Sequence, residues 1–262
     1  MVTPAAANRP ALLARALERL SAQTRRADEL VVVAAEPGAG TGELERQLAA
    51  VRGPAVKLVV GPRGASLGAL RNLSVRSASG DILVQWDDDD LPHPTRIARQ
   101  LEVMAAGGFE AVYLSAVWQF FPATRELFWT TYRRLPEACH PGTGMFLAAA
   151  PPRYPEAGEE SQRGEDSVAC LEIMARRTAG LIEDTPELFV YVSHGTNTWH
   201  QEHHRMLARE LGLSRGLLGR RVDVVKASLS QIEIGPEPVQ IMGSNGPAFH
   251  WLPDAGELIP VR

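Results

Sequence analysis

The stretch "ILVQWDDDDLPHP", Ile82 to Pro94, runs a short apolar, strand-like segment into four consecutive aspartates. Neighbouring carboxylates repel, so such a run is tolerated where water or a cation screens it. Taken alone it could be an acidic turn that ends a strand. As a site it makes more specific sense. Alternate residues of an extended segment face the same way, so Asp87 and Asp89 can converge on one ligand. Hard divalent cations such as Mg²⁺ and Mn²⁺ take carboxylate oxygens and bridge to phosphates. Pro92 and Pro94 stiffen the loop after the aspartates. Asp88 and Asp90 are then expected to shape the loop or to stay solvated.

Outward from this stretch the chain alternates. "PALLARALERLSAQ", Pro10 to Gln23, places Leu12, Leu13, Ala16, Leu17 and Leu20 on one helical face. A β-branched strand follows over Leu30 to Ala34, then the helix "TGELERQLAAV" and the strand "AVKLVVG". "SLGALRNLSVRSASG" predicts a helix that feeds a strand over Ile82 to Trp86, and "HPTRIARQLEVMAAGG" a helix that stops at Gly107–Gly108. Strand and helix alternating in this way imply right-handed crossovers and a mainly parallel sheet under helical cover. Ligands of such sheets sit at the carboxyl ends of strands, where the aspartates lie. Residues 109–135, rich in aromatics, suggest antiparallel strands. "GEDSVACLEIMARR" and "TWHQEHHRMLARELG" predict helices, with the strand "ELFVYVS" between them. The last fifty residues suggest short strands and a closing helical or lid segment. The expected partition is residues 1–204 as a catalytic domain, halved at 107/108, with 205–262 as an extension.

Composition narrows the function class. The chain has 262 residues and a net charge of -4, with no dense Lys/Arg block, which argues against a nucleic-acid partner. Two cysteines, Cys139 and Cys170, cannot build a disulfide framework. The start "MVTPAAANRP" lacks the pattern of a signal peptide, and no apolar run reaches bilayer length. A cytoplasmic location is therefore expected.

In order and spacing, "NRPALLARALERLSAQT", "ELVVV" and "LRNLSVRSASGDILVQWDDDDLPHP" resemble the nucleotide-sugar-binding half of family 2 glycosyltransferases of the GT-A fold. The likeness covers about residues 1–107. It implies a GT-A, Rossmann-like α/β fold with Asp89 on a divalent metal, Mn²⁺ or Mg²⁺. Asp87 would contact the donor ribose or the metal, and Arg71 would lie near the donor nucleotide. Downstream, "RGEDSVACLEIM" is similar to the family's Glu-Asp motif. That match implies Asp166 as the general base, with Glu165 beside it on the acceptor side. A carboxylate in the first turn of a helix also suits the exposed amides and the macrodipole there. In "HPGTGMFLAAA", Gly142 and Gly144 would allow close approach of an acceptor sugar. The segment "HGTNTWHQEHH" resembles the family's post-catalytic stretch, which implies His194 as a further metal ligand, with His200 second. Trp199 could stack on a sugar or a base.

Two features depart from the family pattern. Aspartates usual at the end of the second strand are replaced by Ala34 and Ala35, followed by Glu36. Glu36 is the candidate for the donor base, and a UDP-sugar is the leading donor with the base open. The opening strand also lacks its usual apolar run. The expected activity is that of a metal-dependent, inverting glycosyltransferase, moving a sugar from a nucleoside-diphosphate donor to an acceptor hydroxyl. Arg215, Arg220 and Arg221 are further candidates for phosphate contact, and a homodimer is allowed for. Two rivals stand beside this expectation. One is a non-catalytic nucleotide-sugar-binding protein of the same fold. The other is an α/β phosphohydrolase, against which Leu91 and Pro92 count, since that class wants Thr or Gly after the second aspartate.

Overall fold

The structure, a computed structural model, describes residues 1–4, 10–35, 41–176 and 178–261. Along the chain come β1 (Val2–Pro4), α1 (Pro10–Ser21), β2 (Glu29–Ala35), α2 (Thr41–Ala50), β3 (Ala55–Val60) and α3 (Leu67–Ser77). Then follow β4 (Ile82–Val84), β5 (Leu91–Pro92), α4 (Arg96–Gly107), β6 (Ala111–Leu114), β7 (Ala116–Phe121) and β8 (Glu126–Thr131). The chain continues through β9 (Met145–Leu147), α5 (Glu165–Ala175), β10 (Ala179–Ile182), β11 (Phe189–Val192) and α6 (Gln201–Leu211). It closes with α7 (Arg215–Arg220), α8 (Val222–Leu229), β12 (Val239–Gly243), β13 (Gly246–Leu252) and β14 (Glu257–Pro260). Two compact units share these elements. The first holds Met1–Asp90, Pro94–Tyr113 and Pro141–Leu181; the second holds Leu91–His93, Leu114–His140 and Ile182–Arg262.

In the first unit the expected parallel sheet is present as β1-β2-β3, with β2 against β3 from Glu29↔Ala55 to Ala34↔Val60. Val31 to Ala34 are buried, as a strand covered on both faces requires. Leu70 of α3 packs on Val31 and Val33. The predicted face of α1 points inward through Leu13, Ala16, Leu17 and Leu20. β4 does not join this sheet. It ends a second one, ordered β10-β6-β9-β4, and pairs antiparallel with β9 from Ile82↔Leu147 to Val84↔Met145. The strand is also shorter than predicted, closing at Val84. Past that point the Gln85 carbonyl accepts from the Arg96 side chain, so the ladder cannot run on to Trp86. Between β2 and β4 lies a cavity of about 490 Å³, lined by Leu30, Val31 and Ile82 to Trp86 and reaching Arg71 and Tyr154.

α3 is clamped at its start. The Ser66 hydroxyl accepts from Ala69 N–H (3.1 Å) and donates to the Glu156 carbonyl (3.0 Å). A Cβ placed on Gly68, at the start of the helix, would lie 1.9 Å from the Pro155 carbonyl oxygen. The helix and the Tyr154–Glu156 segment touch backbone to backbone, which glycine alone permits. Gly68→Ala must push them apart and is expected to cost about 1–3 kcal/mol, as overpacking does. Urea midpoints of the two proteins measure it, and equal midpoints would refute the contact.

The second unit is built on a seven-stranded sheet, β14-β13-β12-β8-β7-β11-β5. The aromatic run forms the expected antiparallel hairpin, with Trp118 opposite Trp129 and ring centroids 5.7 Å apart. Parallel neighbours flank it: β11 beside β7 and β12 beside β8. Leu218, Val225 and Leu229, from α7 and α8, pack on this sheet with Phe249 and Trp251. The expected closing helical segment is here these two helices, whose bounds the sequence pattern does not give. Ser214 caps the first of them by accepting from Leu217 N–H (3.3 Å).

Candidate active site

The site gathers in the first unit around one arginine. Arg71, on α3, donates from Nη1 to Asp87 Oδ1 (2.9 Å) and from Nε to Glu165 Oε1 (2.7 Å). Its side chain is 12% exposed, that of Asp87 19% and that of Glu165 3%. Three elements far apart in sequence therefore meet: α3, the end of β4 and the first turn of α5. Burial opposes the charge on Asp87, but the guanidinium beside it and a weak hydrogen bond from Gln85 prevail and hold its carboxyl below the usual range. Burial likewise opposes the charge on Arg71, and Asp87 and Glu165 prevail, so the guanidinium stays ionised.

Asp166 stands next to Glu165 in the first turn of α5, behind Gly164 in the left-handed conformation. Its Oδ1 accepts from Ser167 N–H (2.8 Å). Removal from water raises its pKa, the Glu165 charge raises it further, and Arg71 pulls the other way. The balance puts Asp166 at about 7. A half-buried carboxylate poised near neutrality is the protonation behaviour of a general base.

Of the four aspartates, Asp87 is the one tied to Arg71. Asp89 keeps partial exposure, while Asp88 and Asp90 are 4% and 2% exposed. The latter pair shape the loop from inside and are not solvated. Gly144 is buried, and the room left by its missing side chain is filled by the Phe146 ring, 2.1 Å from where a Cβ would stand. Its carbonyl accepts from Gln85 N–H (2.9 Å), which makes it a support for the end of β4.

His194 and Trp199 belong to the second unit. The His194 Nδ1 lies 2.9 Å from the Thr196 hydroxyl, and its backbone N–H donates to Asn197 Oδ1 (2.9 Å). Trp199 is 37% exposed and stacks on His203 with centroids 4.4 Å apart. His200 occupies the N-cap of α6. Arg221 pairs with Asp184 (3.1 Å), and Arg215 donates to the Val261 carbonyl. Glu36, and Asn8 and Arg9 of the opening turn, lie outside the described residues.

Three further residues join the site that the sequence reading does not single out: Asn72, Gln85 and Tyr154. Asn72 locks the Tyr154 backbone from both sides, donating to its carbonyl (2.8 Å) and accepting from its N–H (3.0 Å). The Tyr154 ring lies 5.9 Å from the Arg71 guanidinium carbon, and its hydroxyl donates to Gln85 Oε1 (3.2 Å). Gln85 carried a legible signal, a lone amide within an apolar strand. Tyr154 carried none, lying in the irregular "APPRYPEAGEE".

The family model described as "Glycosyl transferase family 2" matches residues 4–137, just over half of the chain. No curated protein matches the sequence. Among solved structures, S. aureus TarS residues 1–349 align with a TM-score of 0.54 at 12% identity, covering 88% of this chain and 78% of that one. The same TarS fragment in complex with UDP-GlcNAc aligns at 0.57 and 12% identity, covering 89% and 67%. A mycobacterial protein covers all of this chain and 83% of its own, with a TM-score of 0.53 and 13% identity. At these identities the structural likeness speaks for the fold.

Proposed function

The chain belongs to glycosyl transferase family 2, with a GT-A-type α/β fold and the activity of a nucleotide-sugar glycosyltransferase, and from that premise we propose how its residues divide the work. The acceptor is a hydroxyl, and the anomeric carbon inverts. Asp166 takes the hydroxyl proton as the acceptor oxygen attacks C1 from the face opposite the leaving diphosphate. The bond from C1 to the diphosphate oxygen breaks, and its electron pair leaves with the nucleoside diphosphate. Glu165 holds Arg71 beside the base, and Arg71 holds Asp87, so the donor-side and acceptor-side carboxylates share one cation. The observation that carries this proposal is the Asp87–Arg71–Glu165 bridge with Asp166 raised to about 7 at its end.

A divalent cation fits the residues present. Among the described residues no group of three or more His, Cys, Asp or Glu side chains gathers into a metal cage. Mg²⁺ needs none, since it commonly binds through one or two carboxylates, waters and substrate phosphates. Asp89 would supply the carboxylate, with Asp87 beside it, and both offer the hard oxygens that Mg²⁺ or Mn²⁺ prefers. When bound there, the cation offsets the charge that grows on the leaving diphosphate. Arg71, already committed to two carboxylates, acts on the donor through Asp87.

The donor base is the remaining choice. UDP is the first nucleotide to try, because the TarS fragment was solved with UDP-GlcNAc. A thermal-shift panel of UDP, GDP, ADP and dTDP, each with and without Mn²⁺, decides it. At one hundred times its Kd a ligand adds about 2.7 kcal/mol, a shift of several degrees for a chain of this size. One nucleotide is expected to give that shift, and only with the cation. If none does, the metal-dependent donor site is refuted.

A further inference from the structure

Gln85 stands at the end of β4 with its backbone held on both sides. Its N–H donates to the Gly144 carbonyl (2.9 Å), and its carbonyl accepts from Arg96 Nη2 (3.1 Å). Arg96 is itself fixed, fully buried, donating from Nε to Gln100 Oε1 (3.0 Å) and lying 5.6 Å from the Trp86 ring. Gln100 in turn donates to the carbonyls of Val112 (3.0 Å) and Thr143 (2.7 Å). With the backbone immobilised, the remaining choice at Gln85 is which end of its amide faces Asp87. A carboxylamide presents an acceptor on one side and two donors on the other. Facing a carboxylate, the acceptor is repelled and the donors are attracted.

The carboxylate draws the NH₂ end toward itself, and one further contact secures that choice. The Tyr154 hydroxyl donates to Gln85 Oε1 (3.2 Å), and Gln85 Nε2 then reaches Asp87 Oδ2 (3.4 Å). The phenol keeps its proton, because burial pushes its pKa above the ordinary value. Asn72 fixes the Tyr154 backbone at both its N–H and its carbonyl, and the side chain that it carries is buried. Arg71 takes the other oxygen of the same carboxylate.

We propose that Tyr154 is a positioning residue for the donor site: its hydroxyl orients the Gln85 amide so that the NH₂ group, and not the oxygen, faces Asp87. Asp87 is thereby held between two donors in one rotamer, aimed at the metal–nucleoside diphosphate. The inference rests on the donor-side role proposed for Asp87. Tyr154→Phe isolates it, because the ring stays over Arg71 and only the hydroxyl is lost.

The test is a double-mutant cycle on nucleotide affinity, read by calorimetry with Mn²⁺ and whichever of UDP, GDP, ADP or dTDP binds wild type best. Loss of one hydrogen bond predicts a Kd about fivefold weaker for Tyr154→Phe, and a similar loss for Gln85→Leu. The double variant should be no weaker than Gln85→Leu alone, because both substitutions break the same relay. A general packing role would lower Tm and leave the two effects additive. An unchanged Kd in Tyr154→Phe, or additive losses in the double variant, overturns the inference. Absence of binding by wild type refutes instead the donor site on which it rests.

Discussion

Asp166→Asn is expected to slow sugar transfer by about a hundred- to ten-thousandfold, the range that a positioned general base contributes. Asparagine keeps the size of the side chain and can still accept from Ser167 N–H, so the start of α5 should hold. Arg71, Asp87 and Glu165 remain paired, so nucleoside diphosphate binding with Mn²⁺ should match wild type. Liberated nucleotide measures turnover, with water able to take the acceptor's place. A variant that turns over at the wild-type rate ends the assignment of the base. In wild type the base must be ionised to act. The rate should therefore rise with pH and level off above about 7, falling tenfold per unit on the acid side. Stability runs the other way. A carboxyl whose pKa is higher in the folded chain contributes stability below its ordinary value, and that contribution is lost as pH rises through about 7. Asp166→Asn should thus be the more stable protein at pH 8, a trade of activity against stability common at functional sites.

Arg71→Met carries the largest expected cost to the fold. The substitution keeps much of the apolar stem and removes the charge that two carboxylates share. Breaking a buried pair costs about 3–5 kcal/mol, because the partner is left buried and unpaired. Glu165, with a side chain 3% exposed, cannot recover the loss from water. The sign with pH follows from Asp87, whose carboxyl Arg71 holds below its ordinary range. In wild type that contribution is present at neutral pH and lost as pH falls through the depressed value. The gap between variant and wild type should accordingly be widest at pH 7 and narrow toward pH 3. Urea midpoints at several pH values report it. A gap that stays constant across that range would mean that the bridge is not what stabilises the unit.

Much of the fold, and the carboxylates proposed for the site, can be read in the sequence. The alternation of β-branched runs with amphipathic helices is local, and local periods show which residues face inward. So the buried face of α1, the strand β2 and the aromatic hairpin of β7 and β8 all lie where their patterns put them. The acidic run and the "GED" turn also announce themselves, because like charges side by side need a reason.

The sequence by itself therefore determined most element types, the family and the carboxylates proposed for the site. The tertiary structure alone decided how those carboxylates are paired. Arg71, expected near the donor nucleotide, bridges Asp87 and Glu165, the latter 94 positions away. Tyr154 reaches Gln85 across 69 positions and Asn72 across 82. The division of the strands among three sheets belongs to the same class of facts, as does the placing of β11 beside β7 and β12 beside β8. The physical reason is common to all of them. A residue's periodicity states which way it points, but its partner is chosen by crossovers that bring distant segments together. A buried charge or amide settles only when the whole set around it is satisfied.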